Sequence, residues 1–279
     1  MTDVSLDARY RALHRLDSAA NRLIRADIWP EGDDFGQQSF ITPRYIDEIV
    51  RRSPIGAEDH VLDIGSGAGG PAVRLAETAG CRVTGIEPNE VGVEVARELA
   101  RVAGLGERVR FDRGDARDLP YPDEAFDVAV SLNVLNVIED KAGLLSEVRR
   151  ALRPGGRLVL LTGTFRLDAD DAETRRRLTR QDTVPLFDDT AEGYRELIER
   201  AGFAIDEVTE YIADFRRQIA RWGEANRRHE GELAAEQGPE AAARHLDYFA
   251  TYLRLVDQGR AANHLFLATA ASGVTPDRG

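Results

Sequence analysis

Short apolar runs alternate with amphipathic segments through the middle of the chain. The runs have the length and composition of buried strands, and we predict five strands, at 60–64, 82–87, 109–112, 126–131 and 157–161. Between them, apolar residues recur at helical spacing, as at Ala72, Leu75, Ala76 and Ala79. This alternation predicts an α/β fold with a parallel sheet and helices on both of its faces.

The pattern is less regular on both sides of this region. Before it, we predict an amphipathic helix over residues 4–25, a loop over 29–39 and a short helix over 42–52. After it, a highly charged insertion spans residues 165–188. Regular elements then return as a helix, a strand, a long helical stretch interrupted near Gly238-Pro239 and a last strand, at 190–201, 203–210, 212–258 and 264–270.

A glycine-rich segment with the sequence VLDIGSGAGG lies between the first predicted strand and the helix that follows it. Glycines at such a position permit a tight turn and let a ligand approach the backbone closely. The segment fits two patterns. Gly65, Gly67 and Gly70 match the G-x-G-x-x-G loop of dinucleotide-binding proteins, whereas Gly65, Gly67 and Gly69 match the G-x-G-x-G loop of methyltransferases. Glu87 follows at a distance suited to binding a ribose in either case.

Charge decides between the two patterns. Three acidic residues, Asp63, Glu87 and Asp115, stand at or just after the ends of successive strands, and we see no lysine or arginine placed to offset them. A pyrophosphate at this position would be repelled by Asp63, which disfavours a nicotinamide-dependent oxidoreductase. S-adenosyl-L-methionine carries an ammonium and a sulfonium and no phosphate. The sequence therefore predicts a site for that cofactor.

Four segments of the chain resemble the class I S-adenosylmethionine-dependent methyltransferases over about residues 40–270. They are VLDIGSGAGG, GIEPN, GDARDLPYPDEAFDVAV and LRPGGRLVLL. The resemblance implies a Rossmann-like sheet of seven strands with the last strand antiparallel. It also implies cofactor-binding roles for a set of residues at the strand ends: Asp63, Gly65, Ser66, Gly67, Gly69, Glu87, Pro88, Asp115, Ala116 and Asn133.

More narrowly, the chain is similar to small-molecule methyltransferases of the phosphoethanolamine, sarcosine/dimethylglycine and sugar O-methyltransferase type. This similarity implies an N-terminal helical lid at 1–55, a cofactor-binding core at 56–164, acceptor-pocket segments with one core strand at 165–260 and a last core strand at 261–271. We expect acceptor contacts from residues of the lid and of two strand ends: Phe35, Gln37, Gln38, Asn136 and Thr162. Aromatic residues in the same segments either pack in the core or contact the acceptor or the sulfonium: Phe35, Phe40, Phe165, Tyr211, Phe215, Trp222 and Tyr252.

The chain departs from these relatives where they often carry a general base. Asn133–Val137 follows the fourth strand in place of histidine, and Thr162–Thr164 stands where some relatives have aspartate. A hydroxyl acceptor needs a base, whereas an amine attacks as its neutral form. We therefore favour N-methylation and assign no catalytic residue. O- or C-methylation of a natural product, and a methyltransferase-like fold that does not transfer methyl, stay open as alternatives.

Composition excludes several other classes of protein. The formal net charge is −12 and no basic face is visible, which argues against nucleic-acid binding. The five histidines lack metal-binding spacing, so we predict no metal. The single cysteine, Cys81, the absence of signal-peptide features and the lack of a membrane-length apolar stretch favour a cytoplasmic protein without membrane contact. The oligomeric state stays open, with a homodimer as one arrangement.

Overall fold

The computed structural model describes residues 18–271 except 31, 38, 169, 179–186 and 188. Its centre is a sheet of seven strands in the order β3-β2-β1-β4-β5-β7-β6, all parallel except β7, which runs antiparallel to both of its neighbours. The predicted Rossmann-like methyltransferase sheet is therefore confirmed. The strands are β1 His60–Ile64, β2 Arg82–Glu87, β3 Val109–Arg113, β4 Phe126–Leu132, β5 Leu152–Phe165, β6 Phe203–Glu210 and β7 Ala261–Ala270.

Helices cover both faces of the sheet and build a cap beside it. Within the described part of the chain they are α1 Ala19–Ile28, α2 Pro43–Arg52, α3 Gly70–Ala79, α4 Glu90–Val102, α5 Lys141–Ala151, α6 Ala172–Leu178, α7 Ala191–Arg200, α8 Ile212–Arg228, α9 Glu230–Gln237 and α10 Pro239–Asp257. None of these helices combines the length and the apolarity needed to cross a membrane.

Side-chain caps explain where four of the helices begin. A Thr, Asn or Asp precedes each of them and accepts a hydrogen bond from the backbone N–H three residues later, which satisfies one of the free donors of the first turn. The capping residues are Thr42 for α2, Asn89 for α4, Asp140 for α5 and Thr190 for α7. Local chemistry therefore fixes where these helices begin.

The apolar faces pair with the sheet as the alternating pattern requires. One face of the sheet packs against α2, α3 and α4, and the other packs against α5 and α7. Ile46 and Ile49 of α2 belong to the first of these cores, so α2 packs with the sheet although the sequence grouped it with the lid. A further core holds α1 against α8, α9 and α10, with Trp29, Trp222 and Phe249 at its centre.

Two strands are longer than the sequence predicted. Strand β7 begins at Ala261 and not at residue 264, because it pairs with β5 as far as Phe165. Strand β5 begins at Leu152 and not at residue 157, so it includes a turn at Pro154-Gly155-Gly156 that precedes the predicted strand. Phe126 pairs with Leu152 and Val128 next pairs with Arg157, so this turn protrudes from the ladder as a bulge. The described part of the first helix ends at Ile28, and residues 4–17 of the helix predicted at 4–25 lie outside the described residues.

Candidate active site

A cavity of about 300 Å³ opens at the carboxyl ends of β1, β2, β4 and β5. Strands β1 and β4 are neighbours whose following connections lead to opposite sides of the sheet, which is where open α/β sheets bind ligands. The cavity has two halves. The strand-end half is lined by residues that follow the parallel strands, and the helical half is lined by α1, α6, α8, α10 and the segment before α2.

Most of the predicted cofactor residues lie in the strand-end half. Those that line the cavity are Gly65, Ser66, Gly67, Glu87, Pro88, Asp115, Ala116 and Asn133. Two others do not reach its surface. Asp63 is buried beneath the glycine loop, and Gly69 packs away from the cavity against Ala96 and Phe111. The sequence pattern placed Gly69 with the binding glycines because spacing alone does not show which way a loop residue faces.

The glycine loop is held in place by the next strand. The N–H groups of Gly65 and Ser66 both donate to the carbonyl of Ile86, at 2.9 and 3.1 Å, and the N–H of Gly67 donates to Glu87 at 3.0 Å. Gly65 has a φ of 67°, and a Cβ there would lie 2.7 Å from Val134. The loop therefore needs glycine at this position both for its backbone angle and for its contact with the residue that follows β4.

Gly70, the fourth glycine of the motif, contacts the segment that we predicted as a lid. A Cβ at Gly70 would lie 2.5 Å from the carbonyl oxygen of Phe35 and 2.7 Å from the nitrogen of Gln37. This segment, residues 29–40, is called the lid segment below. Its backbone thus lies directly against the first turn of α3. Gly70 matched the dinucleotide pattern, but in the fold it accommodates another part of the chain.

Asp63 is a carboxylate without a counter-charge. Its side chain is buried, and Oδ2 has no hydrogen-bond partner among the described residues. Burial raises the pKa of Asp63 to about 7, and the nearby Glu87 adds to the rise. A buried acid of this kind is favoured in its charged form only when a cation is close.

Glu87 has a different environment although it is equally buried. Its two carboxylate oxygens accept the N–H groups of Gly67 and Asn89, each at 3.0 Å. Burial raises the pKa of Glu87 and these two hydrogen bonds oppose the rise. A carboxylate oxygen can accept more than one hydrogen bond, so the side chain retains acceptor capacity towards the cavity that it lines.

Asp115, unlike Asp63 and Glu87, forms an ion pair with an arginine. We saw no arginine placed to offset the three acids, but Arg117 folds back onto Asp115 with a Nη2–Oδ2 distance of 2.6 Å. Hydrogen bonds from Arg117 keep the pKa of Asp115 below its usual value. The pair is half-exposed at the rim, whereas Asp63 and Glu87 are buried inside. The negative character of the strand-end half therefore rests on the two buried acids.

The predicted acceptor residues are only partly brought together. Asn136 lines the cavity, and Gln38 lies outside the described residues. Phe35 packs on the sheet core, and Gln37 is buried, where its side chain bonds to the N–H of Phe35 and the carbonyl of Asp33. Thr162 faces the other side of the sheet, 3.4 Å from the Tyr194 hydroxyl. Because side chains alternate along a strand, Gly163 and Phe165 face the cavity instead.

The helical half of the cavity is mostly aromatic. Its rings come from the lid segment, β5, α8 and α10: Phe40, Phe165, Trp222, Tyr248, Phe249 and Tyr252. The sequence singled out four of these and left open whether they were core or contact residues. Tyr248 and Phe249 went unnoticed, because helical periodicity does not separate a core-facing position from a cavity-facing one. Arg25 and Asn21 of α1 also line this half without a signal in the sequence.

The described histidines lie away from the cavity lining. His60 contacts the Thr84 hydroxyl, His229 contacts Asp27, and His264 contacts the Thr164 hydroxyl. His245 packs against Phe249, and His14 is outside the described residues. Within the described ranges, histidine, cysteine and acidic side chains nowhere form a group of three that would hold a metal ion.

Comparison with known proteins agrees with this geometry. Residues 62–160 match the family model described as a methyltransferase domain. The chain is 31% identical to Methyltransferase GfsG of Streptomyces halstedii over 217 residues, which cover 73% of this chain and 77% of that protein. The chain belongs to the class I S-adenosylmethionine-dependent methyltransferases.

Two further matches widen the comparison. The methyltransferase is 43% identical over 119 residues to the 27-O-demethylrifamycin SV methyltransferase of Amycolatopsis mediterranei (strain S699), covering 43% of this chain and 44% of that one. Among solved structures it is similar to the [4+2]-cyclase SpnF, with 28% identity, a TM-score of 0.72, and coverage of 83% of this chain and 81% of the other. Its fold is therefore shared by proteins whose names differ in chemistry.

The strand-end half of the methyltransferase fits its cofactor, S-adenosyl-L-methionine. The unpaired buried oxygen of Asp63 and the acceptor capacity of Glu87 suit a ligand that carries positive charge and hydroxyl groups. Asn133 adds a third feature. It has a φ of 59°, uncommon outside glycine, and its Nδ2 has no partner among the described residues. Such strain is typical of binding sites.

Replacing Asp63 by asparagine should stabilise the ligand-free methyltransferase at high pH. The folded pKa of about 7 lies above the unfolded value of 3.8, so stability falls as pH rises through this window and the full penalty applies above it. We expect Asp63→Asn to raise Tm at pH 8 by roughly 3 °C or more, and by less at pH 5. Thermal unfolding of both proteins at the two pH values tests this, with exposed Asp118→Asn as a control that leaves Tm unchanged. A lower Tm for Asp63→Asn at pH 8 would contradict the account.

Replacing Gly70 by alanine should displace the lid segment. The new Cβ would meet backbone atoms of Phe35 and Gln37, which cannot rotate away. We expect roughly 10-fold weaker binding of S-adenosylhomocysteine by calorimetry, since the segment then lies less closely against the glycine loop. Gly231→Ala is the matched control, because Gly231 is also helical and a Cβ there meets open space. Equal affinity of the two variants would show that this contact does not support the cofactor site.

Proposed function

We propose that this methyltransferase transfers the methyl group of S-adenosylmethionine to a small-molecule acceptor bound in the helical half of the cavity, and that the attacking atom is the nitrogen of an amine. The observation that carries this proposal is the contrast between the two halves. The strand-end half holds buried carboxylates suited to a cation, whereas the helical half is aromatic and holds no described side chain able to take a proton near pH 7.

In this proposal different strand-end residues contact different parts of the cofactor. Glu87 accepts hydrogen bonds from the ribose hydroxyls, and Asp115 with Ala116 contacts the adenine. Gly65 and Asn133 face the methionine part, and the ammonium held there supplies the counter-charge for Asp63, which is buried beneath Gly65. Ser66, Gly67 and Pro88 complete the wall. Bound there, S-adenosylmethionine supplies a methyl group activated by the positive sulfur.

The titratable groups that line the cavity favour an amine over an alcohol as the attacking group of the methyl acceptor. Among described residues they are Arg25, Glu87, Asp115, Tyr248 and Tyr252. The two carboxylates belong to the strand-end half. Burial raises the pKa of Tyr252 well above 10, so this phenol stays protonated, and Arg25 is a permanent cation. An aliphatic alcohol would find no base here, whereas a neutral amine attacks directly and loses its proton to solvent afterwards.

The protein then contributes by positioning. Asn136 lines the cavity after β4, and its Oδ1 is buried without a hydrogen-bond partner among the described residues. An unpaired carbonyl oxygen suits an acceptor that carries an N–H or O–H donor. Holding the acceptor in line with the methyl group converts a two-body encounter into a local one, an effect worth up to about 7–11 kcal/mol.

The names of the relatives support two alternatives, O-methylation and a reaction without methyl transfer. One relative is named for methylation of an oxygen, and one structural neighbour is named a cyclase. O-methylation fits this cavity only for an acceptor that ionises near neutrality, such as an acidic phenol or enol. A protein of this fold that binds the cofactor without transferring its methyl group would yield no S-adenosylhomocysteine. Mass spectrometry of reactions with labelled cofactor and an acceptor panel separates these alternatives.

Glu87→Gln should weaken cofactor binding while leaving the fold intact. Glutamine keeps one acceptor oxygen but presents an N–H₂ group to one of the two backbone donors that Glu87 now accepts. We expect S-adenosylhomocysteine to bind about 1–3 kcal/mol more weakly by calorimetry, the usual cost of an unsatisfied buried polar group. The control is Glu90→Gln, an exposed side chain at the start of α4, and this variant should bind S-adenosylhomocysteine as the wild type does. Unchanged affinity in Glu87→Gln would remove this residue from the site.

The pH dependence of turnover tests the absence of a base. With saturating cofactor and an amine acceptor, we expect log(kcat/KM) for the acceptor to rise with unit slope up to the amine's own pKa. Two acceptors of different basicity should shift the break point accordingly. A common break near pH 6–7 for both, abolished by replacing His245 or His264, would show that a protein base operates.

A further inference from the structure

We propose that the acceptor of this enzyme presents a bulky, apolar ring system without carboxylate or phosphate groups to the helical half of the cavity. This inference rests on the proposed function and names its substrate class. The observations that carry it are the arrangement of the aromatic rings and the charges that accompany them.

The rings form a wall that is already packed. Phe40 lies edge-on to four other rings, with centroid distances of 5.5 Å to Phe215, 6.1 Å to Trp222, 6.5 Å to Phe249 and 6.1 Å to Tyr252. Edge-to-face packing at these distances is a favourable arrangement for aromatic pairs. The rings come from the lid segment, α8 and α10, so three separate parts of the fold fix them against one another.

The wall continues beyond this cluster. Trp222 stacks on Phe249 at 5.9 Å, and Tyr248 lies 5.0 Å from Phe249 and 5.7 Å from Tyr252. Phe165 and Leu178 extend the lining from β5 and α6. A surface of this composition gains free energy by removing apolar area from water, at about 25 cal/mol per Å². A flat or bulky ring system offers such area, and an amino acid offers little of it.

Charge in this half argues against an anionic acceptor. Arg25 is its only formally charged residue within the described lining, and this guanidinium is already engaged. Its Nε donates to Asp34 at 2.9 Å, a second bond joins Nη2 to the same carboxylate, and Nη1 donates to the carbonyl of Gln37 at 2.7 Å. A phosphate or carboxylate on the acceptor would have to displace Asp34 or be buried without a counter-charge, which is costly.

Aromatic walls also bind quaternary ammonium ions, so this class of ligand is tested directly. The described residues of the helical half add no carboxylate that faces the cavity. A permanent cation would therefore gain only the attraction of the rings and would lose its hydration. We expect a neutral or transiently neutral ring amine to bind better than a small quaternary ion.

Calorimetry on the enzyme saturated with S-adenosylhomocysteine tests the substrate class. The probes are 1,2,3,4-tetrahydroisoquinoline and larger polycyclic secondary amines, with sarcosine, phosphoethanolamine and choline for comparison. We expect the ring amines to bind at least about 30-fold more tightly than the three polar probes, given about 0.8 kcal/mol per buried methylene-sized group. Tighter binding of a polar probe, or no binding of any ring amine up to its solubility limit, would overturn the inference.

Titration with S-adenosylhomocysteine alone, before any acceptor is added, distinguishes failure of the proposed function from failure of the proposed substrate class. If S-adenosylhomocysteine itself fails to bind, the proposed function fails before the acceptor class is reached. If it binds and ring amines do not, only the substrate class is wrong.

A pair of variants at Phe40 with the same side-chain branching locates the effect. Phe40 is half-buried in the lid segment and outside the regular elements, and leucine and asparagine have the same number of side-chain heavy atoms in the same branched arrangement. We expect Phe40→Leu to keep ring-amine affinity within about 3-fold and Phe40→Asn to lose about 10-fold or more, because leucine leaves an apolar surface and asparagine places an amide there. Both should bind S-adenosylhomocysteine as the wild type does. Equal losses of ring-amine affinity in the two variants, with cofactor binding intact, would contradict an apolar acceptor at this wall.

Discussion

The structure depends on one buried carboxylate that has no counter-charge among the described residues and has one oxygen without a hydrogen-bond partner there. Asp63 ends β1 beneath the glycine loop, in a position where burial raises its pKa to about 7 and where Glu87 adds like charge. A neutral asparagine at this position would make the ligand-free fold more stable, because burying an unpaired carboxylate costs more free energy. The cost is offset when a cation occupies the adjoining half of the cavity. We therefore propose that selectivity for a cationic cofactor over a pyrophosphate follows from electrostatics, since the glycine spacing alone fits both ligands.

The glycine loop joins this constraint to the rest of the molecule. Gly65 lets the residue after β4 approach, Gly69 lets α3 pack on α4, and Gly70 lets the lid segment lie against α3. The lid segment continues to Phe40, whose ring stands among the aromatic residues of the helical half. The strand-end and helical halves of the cavity are thus connected by this short stretch of chain, although they are built from different elements.

Much of the fold was predictable from local patterns, and the parts that were missed depend on distant contacts. Apolar runs and the glycine loop mark β1 to β4. The position of Glu87 at the cavity was predicted from its spacing along the chain after the glycine loop. The extension of β5 and β7 was missed because Thr162–Thr164 are polar and become buried only by pairing with β7. Thr162 was assigned to the cavity, whereas strand alternation turns it towards Tyr194. The Arg117–Asp115 pair depends on a turn whose geometry the sequence does not specify, and the aromatic wall depends on how α8 and α10 pack.

The most direct test of the central claim is a count of the protons exchanged on cofactor binding. S-adenosylhomocysteine is titrated at pH 7 into the enzyme in buffers of different ionisation enthalpy. Because the bound ammonium lowers the pKa of Asp63 from about 7, the account predicts release of roughly half a proton per ligand, and almost none in Asp63→Asn. A wild-type enzyme that releases no proton, or an asparagine variant that releases as much, would contradict the claim that Asp63 is the charge partner of the cofactor.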